Sequence, residues 1–378
     1  MGGRRGAVEG LEMNAQFWRG RRVFLTGHTG FKGGWLSLWL HALGAEVSGL
    51  ALAPRVPGVF DAARVAEVMR SGIGDIRDAA VVSRAMDEAR PQVVFHLAAQ
   101  PLVRASYADP LGTYATNVMG TAHVLDAARR CAQIEAVVVI TTDKCYENEE
   151  SSRPYRESDR LGGRDPYASS KACAELVSSA YARSFFACES DRPRPALATA
   201  RAGNVIGGGD WQEDRLLPDV VRSLTGGPAL LLRNPQAVRP WQHVLEPLHG
   251  YLMLAERLSG DEARRFGGAW NFGPDERDAR PVGEVTERFL RIWGAPAGWR
   301  LERSPGAHES QLLRLDSSKA RQSLGWTPVL GLEEALQRTV DWYKRHQAGE
   351  DMRRHSLAQI ESYARLLANA PNQKGVAA

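Results

Sequence analysis

Arg21-Arg22-Val23-Phe24-Leu25-Thr26, followed at once by Gly27-His28-Thr29-Gly30-Phe31-Lys32-Gly33, decides the fold. The first run is short and apolar, as a buried strand is. Glycines at the first, fourth and seventh positions of the second let the backbone turn tightly and approach a pyrophosphate. The pattern predicts an amphipathic helix over residues 31–43, with its amino end toward that negative charge and Gly44 as its carboxyl cap. Gly27, Thr29, Gly30, Phe31, Lys32 and Gly33 are therefore candidate contacts to a dinucleotide cofactor.

Further strands are expected at 46–51, 73–78, 92–97 and 136–140, alternating with helical stretches. That rhythm implies an α/β fold built on a doubly wound parallel sheet of Rossmann type. The second strand ends in Ala53-Pro54-Arg55 where an acid would hold an adenosine ribose. The residues alone thus leave NAD and NADP open, since Arg55 suits a 2′-phosphate or a solvated surface. The stretch 73–78 reads as a short strand ending in Asp78, which suits an adenine amino group or the N-cap of the next helix; Asp75 and Ile76 within it are further candidate cofactor contacts. Ala98, Ala99 and Gln100 after the fourth strand allow backbone to lie against a cofactor or simply to pack closely. Asn117 and Gly120 inside the following helix mark either a tie between strand ends or a kink.

The chemistry is expected between Thr141 and Lys171. Ala136-Val137-Val138-Val139-Ile140 reads as a buried parallel strand, which sets Thr141, Thr142, Asp143 and Lys144 at its carboxyl end, where such sheets bind ligands. Tyr167 and Lys171, four apart on a predicted helix, share one face. An ammonium beside a phenol favours the phenolate, so Tyr167 is expected to have a lowered pKa and to take a proton from an alcohol.

The 378 residues suffice for one large domain or two medium ones, and the net charge of +4 points to neither nucleic acid nor an acidic membrane. Lysine is scarce beside arginine, which makes Lys32, Lys144 and Lys171 informative. The four cysteines show no metal or disulfide spacing, which suits a reducing cytoplasm. No metal ligand set is expected among the nine histidines, and no apolar run has the length of a membrane span. Residues 1–16 lack the apolar core of a secretory signal and read as a flexible leader, with Met13 as a second possible start.

After Ile206 the sequence turns to glycines, prolines and arginines. Arg215, Arg233 and above all Arg239, beside Trp241, suit a diphosphate or a solvated surface; Gln100, Arg104 and Asn204 join them as candidate substrate contacts. The expected division is a leader at 1–16 and a cofactor domain at 17–205, rejoined around 240–275. Residues 206–239 and 276–350 would bind substrate, with a tail at 351–378. An amphipathic helix is expected at 333–344, and fraying beyond 369.

Gly27 through Gly33, Thr142-Asp143-Lys144-Cys145-Tyr146, Arg201 through Trp211, Arg239 through Pro247 and Trp270-Asn271-Phe272-Gly273-Pro274 together resemble the extended short-chain dehydrogenase/reductase superfamily. Within it the likeness is to the nucleotide-sugar 4,6-dehydratases, in the branch acting on CDP-glucose, and runs from about Phe17 to Met352. Sister dehydratases usually carry a glutamate where Lys144 stands. The resemblance implies tightly held NAD, a CDP-hexose substrate, a homodimer or homotetramer, and a place in deoxysugar or cell-surface polysaccharide synthesis. It implies that Tyr167, helped by Lys171 and Thr142, takes the C4 hydroxyl proton as hydride passes to NAD. A base then removes the C5 proton, Asp143 protonates the departing 6-hydroxyl, and hydride returns to C6. For the base, Lys144 must be neutral while Asp143 is protonated, against an intrinsic preference of about 9 kcal/mol. The rival is a charged Lys144 with Tyr146, Glu147 or water as base. Epimerases and dehydratases for other nucleotides share Gly27–Gly33, Tyr167 and Lys171; a silent dinucleotide sensor would need no Asp143 and Lys144.

Overall fold

The computed structural model describes residues 14–150, 153–186, 195–296, 298–302 and 312–370. The flexible leader through residue 13, Cys188 and residues 371–378 of the stretch expected to fray beyond 369 lie outside the described residues. Asn14 is already ordered: its side chain caps the short helix Ala15–Trp18, and Trp18 is fully buried.

The apolar runs pair as their composition dictates. Strands β1 (Arg22–Thr26), β2 (Glu46–Ala51), β3 (Arg70–Ile73), β4 (Val93–His96), β5 (Ala136–Ile140) and β6 (Ala196–Ala202) form one sheet. β7 (Asn204–Ile206) and β8 (Val238–His243) lie outside it, and β9 (Gly268–Phe272) completes it. The order is β9-β6-β5-β4-β1-β2-β3, every pair parallel. All strand ends therefore point one way, and the order reverses between β1 and β4, where a crevice opens for a ligand. Alternate residues of β5 face opposite cores. Ala136, Val138 and Ile140 join the cluster of Trp35, Trp39 and Trp270, whereas Val137 and Val139 join Phe24, Val82 and Leu125. Burying such a valine contributes roughly 1.5–3 kcal/mol, so β5 is anchored from both sides.

The third strand departs from expectation. It ends at Ile73, because Gly74 makes the last sheet bond to Ala51 (2.8 Å) and Asp75 then closes a turn on Arg77. Asp78 does cap the helix Ala79–Ala89, accepting from Ala80 and Val81.

Three helices matter for the site: α1 (Phe31–Ala42), α2 (Pro166–Tyr181) and α3 (Leu332–Gln347), with α4 (Met352–Asn369) behind them. α1 is not amphipathic as expected, since every residue from Gly33 to Leu40 is buried. The cover on its outer face is α4, in the stretch taken for a tail, whose Met352, Ser356, Ile360, Tyr363 and Leu367 face inward. Gly44 closes α1 at φ +81°, a conformation open to glycine. A small second sheet, with Ala279–Pro281 antiparallel to β8 and β7 parallel to it, sits beside the carboxyl ends.

Candidate active site

The glycine turn is shaped by contact with its neighbours. Gly27 has φ +77°, and a Cβ there would lie 2.7 Å from the Ala98 backbone nitrogen. A Cβ on Gly33 would lie 2.2 Å from the Gly27 carbonyl oxygen. Gly30 is the N-cap of α1, whose first turn has neither a side-chain cap nor an acid. The amino end of α1 is thus left to an anion, and the close passage of the turn past Ala98 fits the diphosphate of a dinucleotide. The Thr29 hydroxyl donates to Leu52 (3.0 Å), and Phe31 packs near Gly207. Ala98 donates its N–H to the Thr26 hydroxyl (3.2 Å), while the stretch from Ala99 to Leu102 is half-buried.

Asn117 is the tie rather than only a kink. It accepts from the Gln100 N–H (2.8 Å) and donates to the Gln100 carbonyl (3.0 Å) and to the Ser170 hydroxyl of α2 (2.8 Å). It does so from a π-helical turn, Ala115–Met119. Gln100 itself was expected at the substrate; its amide instead donates to Leu102 and Thr113 and accepts from Leu102, which braces the loop. Asp75, expected at the cofactor, has its carboxylate taken by Arg77 at 2.6 Å. Ile76 packs against Gly120, where a Cβ would come within 2.5 Å of it.

At the end of β5, Thr142 caps a single turn, Asp143–Cys145, accepting from the Lys144 N–H and donating to Asp143 Oδ1 (3.0 Å). Asp143 is 2% exposed, and its Oδ2 has no hydrogen-bond partner. Burial pushes its pKa up, against the nearby positive charges of Lys144, Arg239 and Lys32 and the Thr142 hydrogen bond. A buried carboxyl with an idle oxygen is suited to carry a proton. Lys144 is half-buried and lines a cavity of about 370 Å³ with Val103, Glu147, Asp165 and Leu313.

Asp165 caps α2 through Ala168 (2.8 Å), and Pro166 starts its first turn. Tyr167 and Lys171 are both buried on its inner face, and Lys171 Nζ donates to the Ile140 carbonyl at 3.0 Å. The expected lowering of the Tyr167 pKa is overturned. Burial carries the phenol up to about 12, with Thr142 and Arg215 pulling the other way. Desolvating a phenolate costs more here than the surrounding cations return. Burial also lowers Lys171, to about 8, against the opposing charge of Glu175. Lys32, on the first turn of α1, is lowered to about 7 by burial and by Arg215 and Lys171. It belongs to the electrostatic circle of the reacting groups as well as to the glycine turn.

Two of the predicted arginines meet at one acid: Arg104 (3.0 Å) and Arg233 (3.7 Å) both pair with Asp214, and Arg104 reaches Glu302 at 3.3 Å. Arg215 pairs with Asp210 at 2.9 Å and stands near enough to Tyr167 and Lys32 to influence both. Arg239 is buried at Val238 and acts on Asp143. Asn204 opens β7, half-buried. Tyr146, a rival base, is committed elsewhere, since its hydroxyl donates to Asn271 (2.7 Å) and accepts from Arg201 (2.8 Å).

The sequence profile of the NAD dependent epimerase/dehydratase family matches residues 23–273. The chain belongs to this family. A relative from Salmonella typhimurium, CDP-glucose 4,6-dehydratase, is 50% identical over 93% of this chain and 98% of its own. A dTDP-glucose 4,6-dehydratase from Streptomyces antibioticus is 31% identical over 73% and 76% of the two chains. Among solved structures, the dTDP-glucose 4,6-dehydratase of Streptomyces venezuelae with NAD bound superposes with a TM-score of 0.74. It is 26% identical and covers 88% of this chain and 99% of its own. Membership in this NAD-dependent family agrees with the glycine turn, which is built to receive a dinucleotide.

The sequence reading of this epimerase/dehydratase missed what stands behind the reacting groups. Glu175 lies four residues after Lys171 on the same face of α2, and that spacing was available as a signal. Its ion pair with Arg201 at 2.7 Å crosses to β6 and left no local pattern. Asp210, which holds Arg215, lies in the glycine-rich stretch after Ile206 and was given no task. Among the described residues no cluster of metal ligands occurs and no helix is long and apolar enough to cross a membrane.

Proposed function

We propose that this family member is a CDP-glucose 4,6-dehydratase, converting CDP-glucose to CDP-4-keto-6-deoxy-D-glucose and water. The observation that carries this reading is Asp143: a buried acid with an unpartnered oxygen, at the same strand end as Thr142 and Lys144 and beside Tyr167. Oxidation at C4 alone, as in epimerisation, needs no such acid. The 50% identity to a CDP-glucose 4,6-dehydratase supports the nucleotide.

NAD held by Gly27, Gly30, Phe31 and Gly33 supplies a reversible hydride acceptor. Tyr167 receives the C4 hydroxyl proton as the phenolate, as hydride is lost; burial alone keeps the phenol protonated, so its own proton must first leave to solvent, favoured by Arg215, Thr142 and the positive charge that bound NAD would add. Lys171 holds the strand end at Ile140 and adds positive charge. With C4 a ketone, Lys144 takes the C5 proton and Asp143 delivers its own to the departing 6-hydroxyl, so water leaves and the double bond forms between C5 and C6; the hydride that NAD would hold then returns to C6 and Lys144 gives the proton back to C5. Arg104, Arg215, Arg233 and Arg239 hold the CDP moiety, with Asn204 at the sugar.

Residues 17–205 with β9 are read as the cofactor half, and 206–239 with 276–350 as the nucleotide half. Tyr107, Leu111, Met119 and Leu176 are exposed at 47%, 81%, 52% and 58%, which supports a homo-oligomer closing over these helices. The free thiols of Cys131, Cys145 and Cys173 support a cytoplasmic setting. Parallel incubation with CDP-, dTDP-, GDP- and UDP-glucose, followed by mass spectrometry, tests the assignment. Loss of one water from CDP-glucose first is expected; epimerised product without loss of mass contradicts it.

A further inference from the structure

Behind the strand end lies a charged group that the reaction scheme does not use. Glu175 and Arg201 are each 3% exposed in their side chains, with a guanidinium-to-carboxylate distance of 2.7 Å. One Glu175 oxygen accepts from the Thr141 hydroxyl, and the other accepts from Thr199 (2.7 Å) as well as from Arg201. The second Arg201 amino group donates to the Tyr146 hydroxyl (2.8 Å) and the Glu157 carbonyl (3.3 Å), with its guanidinium 4.8 Å from the Tyr146 ring centre. Tyr146 is pinned further by Asn271 and stacks on Tyr155 at 5.2 Å. The two residues touched, Thr141 and Tyr146, bracket Thr142, Asp143 and Lys144.

A pair so deeply buried is a poor device for stability, because apolar residues of equal volume are often neutral or better. Its partners suggest another use. Beyond Thr141 the chain has left the ladder of the sheet; backbone bonds to Gly162 and Arg160 (2.9 Å each) tie it again at Cys145 and Glu147, and side chains hold the stretch on either side of Asp143. Resting on the dehydratase reading, we infer that the Glu175–Arg201 pair is the positioning device of the catalytic turn, gripping it at Thr141 and Tyr146 and setting a negative charge one helical turn from Lys171. The pair touches neither substrate nor cofactor; both members act through the residues they hold.

The groups around Lys171 are Tyr167 and Glu175 on its own helix, Cys145 in the catalytic turn, His96 of β4 and Lys32 of α1. Burial holds His96 neutral, with its pKa near 3, so Glu175 supplies the negative charge that favours the Lys171 ammonium. Removing that charge makes Lys171 lose its proton at lower pH.

The test is the double variant Glu175→Gln with Arg201→Met in the full chain, which removes both charges at nearly constant volume. It is expected to melt within about 5 °C of the parent, with kcat for CDP-glucose about 100-fold lower and KM changed less than about threefold. Magnetic resonance of isotope-labelled lysine side chains, with the Lys171 signal assigned by its loss in Lys171→Arg, should show its titration midpoint about one pH unit lower. A folded double variant with parental kcat, or with an unmoved Lys171 midpoint, overturns the inference. Should the double variant not fold, Tyr146→Phe decides: it removes one buried oxygen, and a kcat about tenfold lower is expected, whereas parental kcat overturns the inference. A parent that turns over no CDP-glucose defeats the functional reading alone, since the Lys171 titration remains readable without turnover.

Discussion

The carboxyl ends of the parallel strands and the carboxy-terminal helices α3 and α4 adjoin each other through Asp210, and they are built differently. At the strand ends, Thr142, Asp143, Tyr167 and Lys171 are polar groups held in burial by hydrogen bonds and by neighbouring charge. In α3 and α4, large rings do the holding. Trp342 fills the space over Gly208, where a Cβ would come within 2.0 Å of it, and donates to Ser356 at 2.9 Å. Trp35 of α1 donates to the Gly208 carbonyl (2.9 Å), so the glycine-rich loop is fixed by a tryptophan from either end of the chain. The two regions are joined at Asp210, which accepts from the Tyr343 hydroxyl through its backbone and from Arg215 through its side chain. Chemistry is placed at the strand ends, and the helical clasp holds the loop that aims Arg215 at it.

If that division is right, substitutions at the strand ends should cost turnover with little stability, and substitutions in the clasp should do the reverse. Tyr167→Phe is the largest expected effect on turnover, with kcat about 10³-fold lower and the melting temperature near the parent's. Trp342→Ala should cost about 3–5 kcal/mol of stability, read by denaturant unfolding, while the surviving folded enzyme keeps kcat. A Trp342→Ala protein as stable as the parent would break the division. Lys144→Arg keeps the charge and cannot accept a proton, so elimination should fall by about 100-fold while C4 oxidation continues; undiminished elimination makes Lys144 a charged stabiliser. With Lys171 lowered to about 8, the ammonium is present below that pH and lost above it. Turnover should therefore fall by up to about tenfold per pH unit above 8, and a flat profile to pH 10 contradicts a charged Lys171. The smallest effect is Tyr363→Phe, which loses a 2.8 Å hydrogen bond to buried Glu246 and should cost about 1 kcal/mol without touching kcat.

The same division explains what could be read in advance. β1, β4 and β5 are apolar runs buried on both faces, so composition alone identifies them, and Gly27 to Gly33 announces its own turn. Tyr167 and Lys171 are four residues apart on one helix, a spacing that survives folding unchanged. The misjudged burial of α1 has a long-range cause: its outer face is covered by α4, some 300 residues later, and no periodicity within α1 records that cover. α4 itself was taken for a tail, although Met352, Ser356, Gln359, Ile360, Tyr363 and Leu367 keep helical spacing; its place over α1 leaves no local pattern. The sign of the Tyr167 shift depends on burial, which no local pattern states, and the Glu175–Arg201 pair joins residues 26 apart in sequence.

The most direct measurement follows Asp143→Asn through one turnover of CDP-glucose, recording the redox state of the dinucleotide by its absorbance and loss of water by mass spectrometry. A carboxamide fills the same space and cannot deliver the proton. The expected result is oxidation at C4 at close to the parental rate, with water release slowed by about 10²–10⁴-fold. Water release at the parental rate would contradict the assignment of Asp143 as the acid on which the dehydratase account depends.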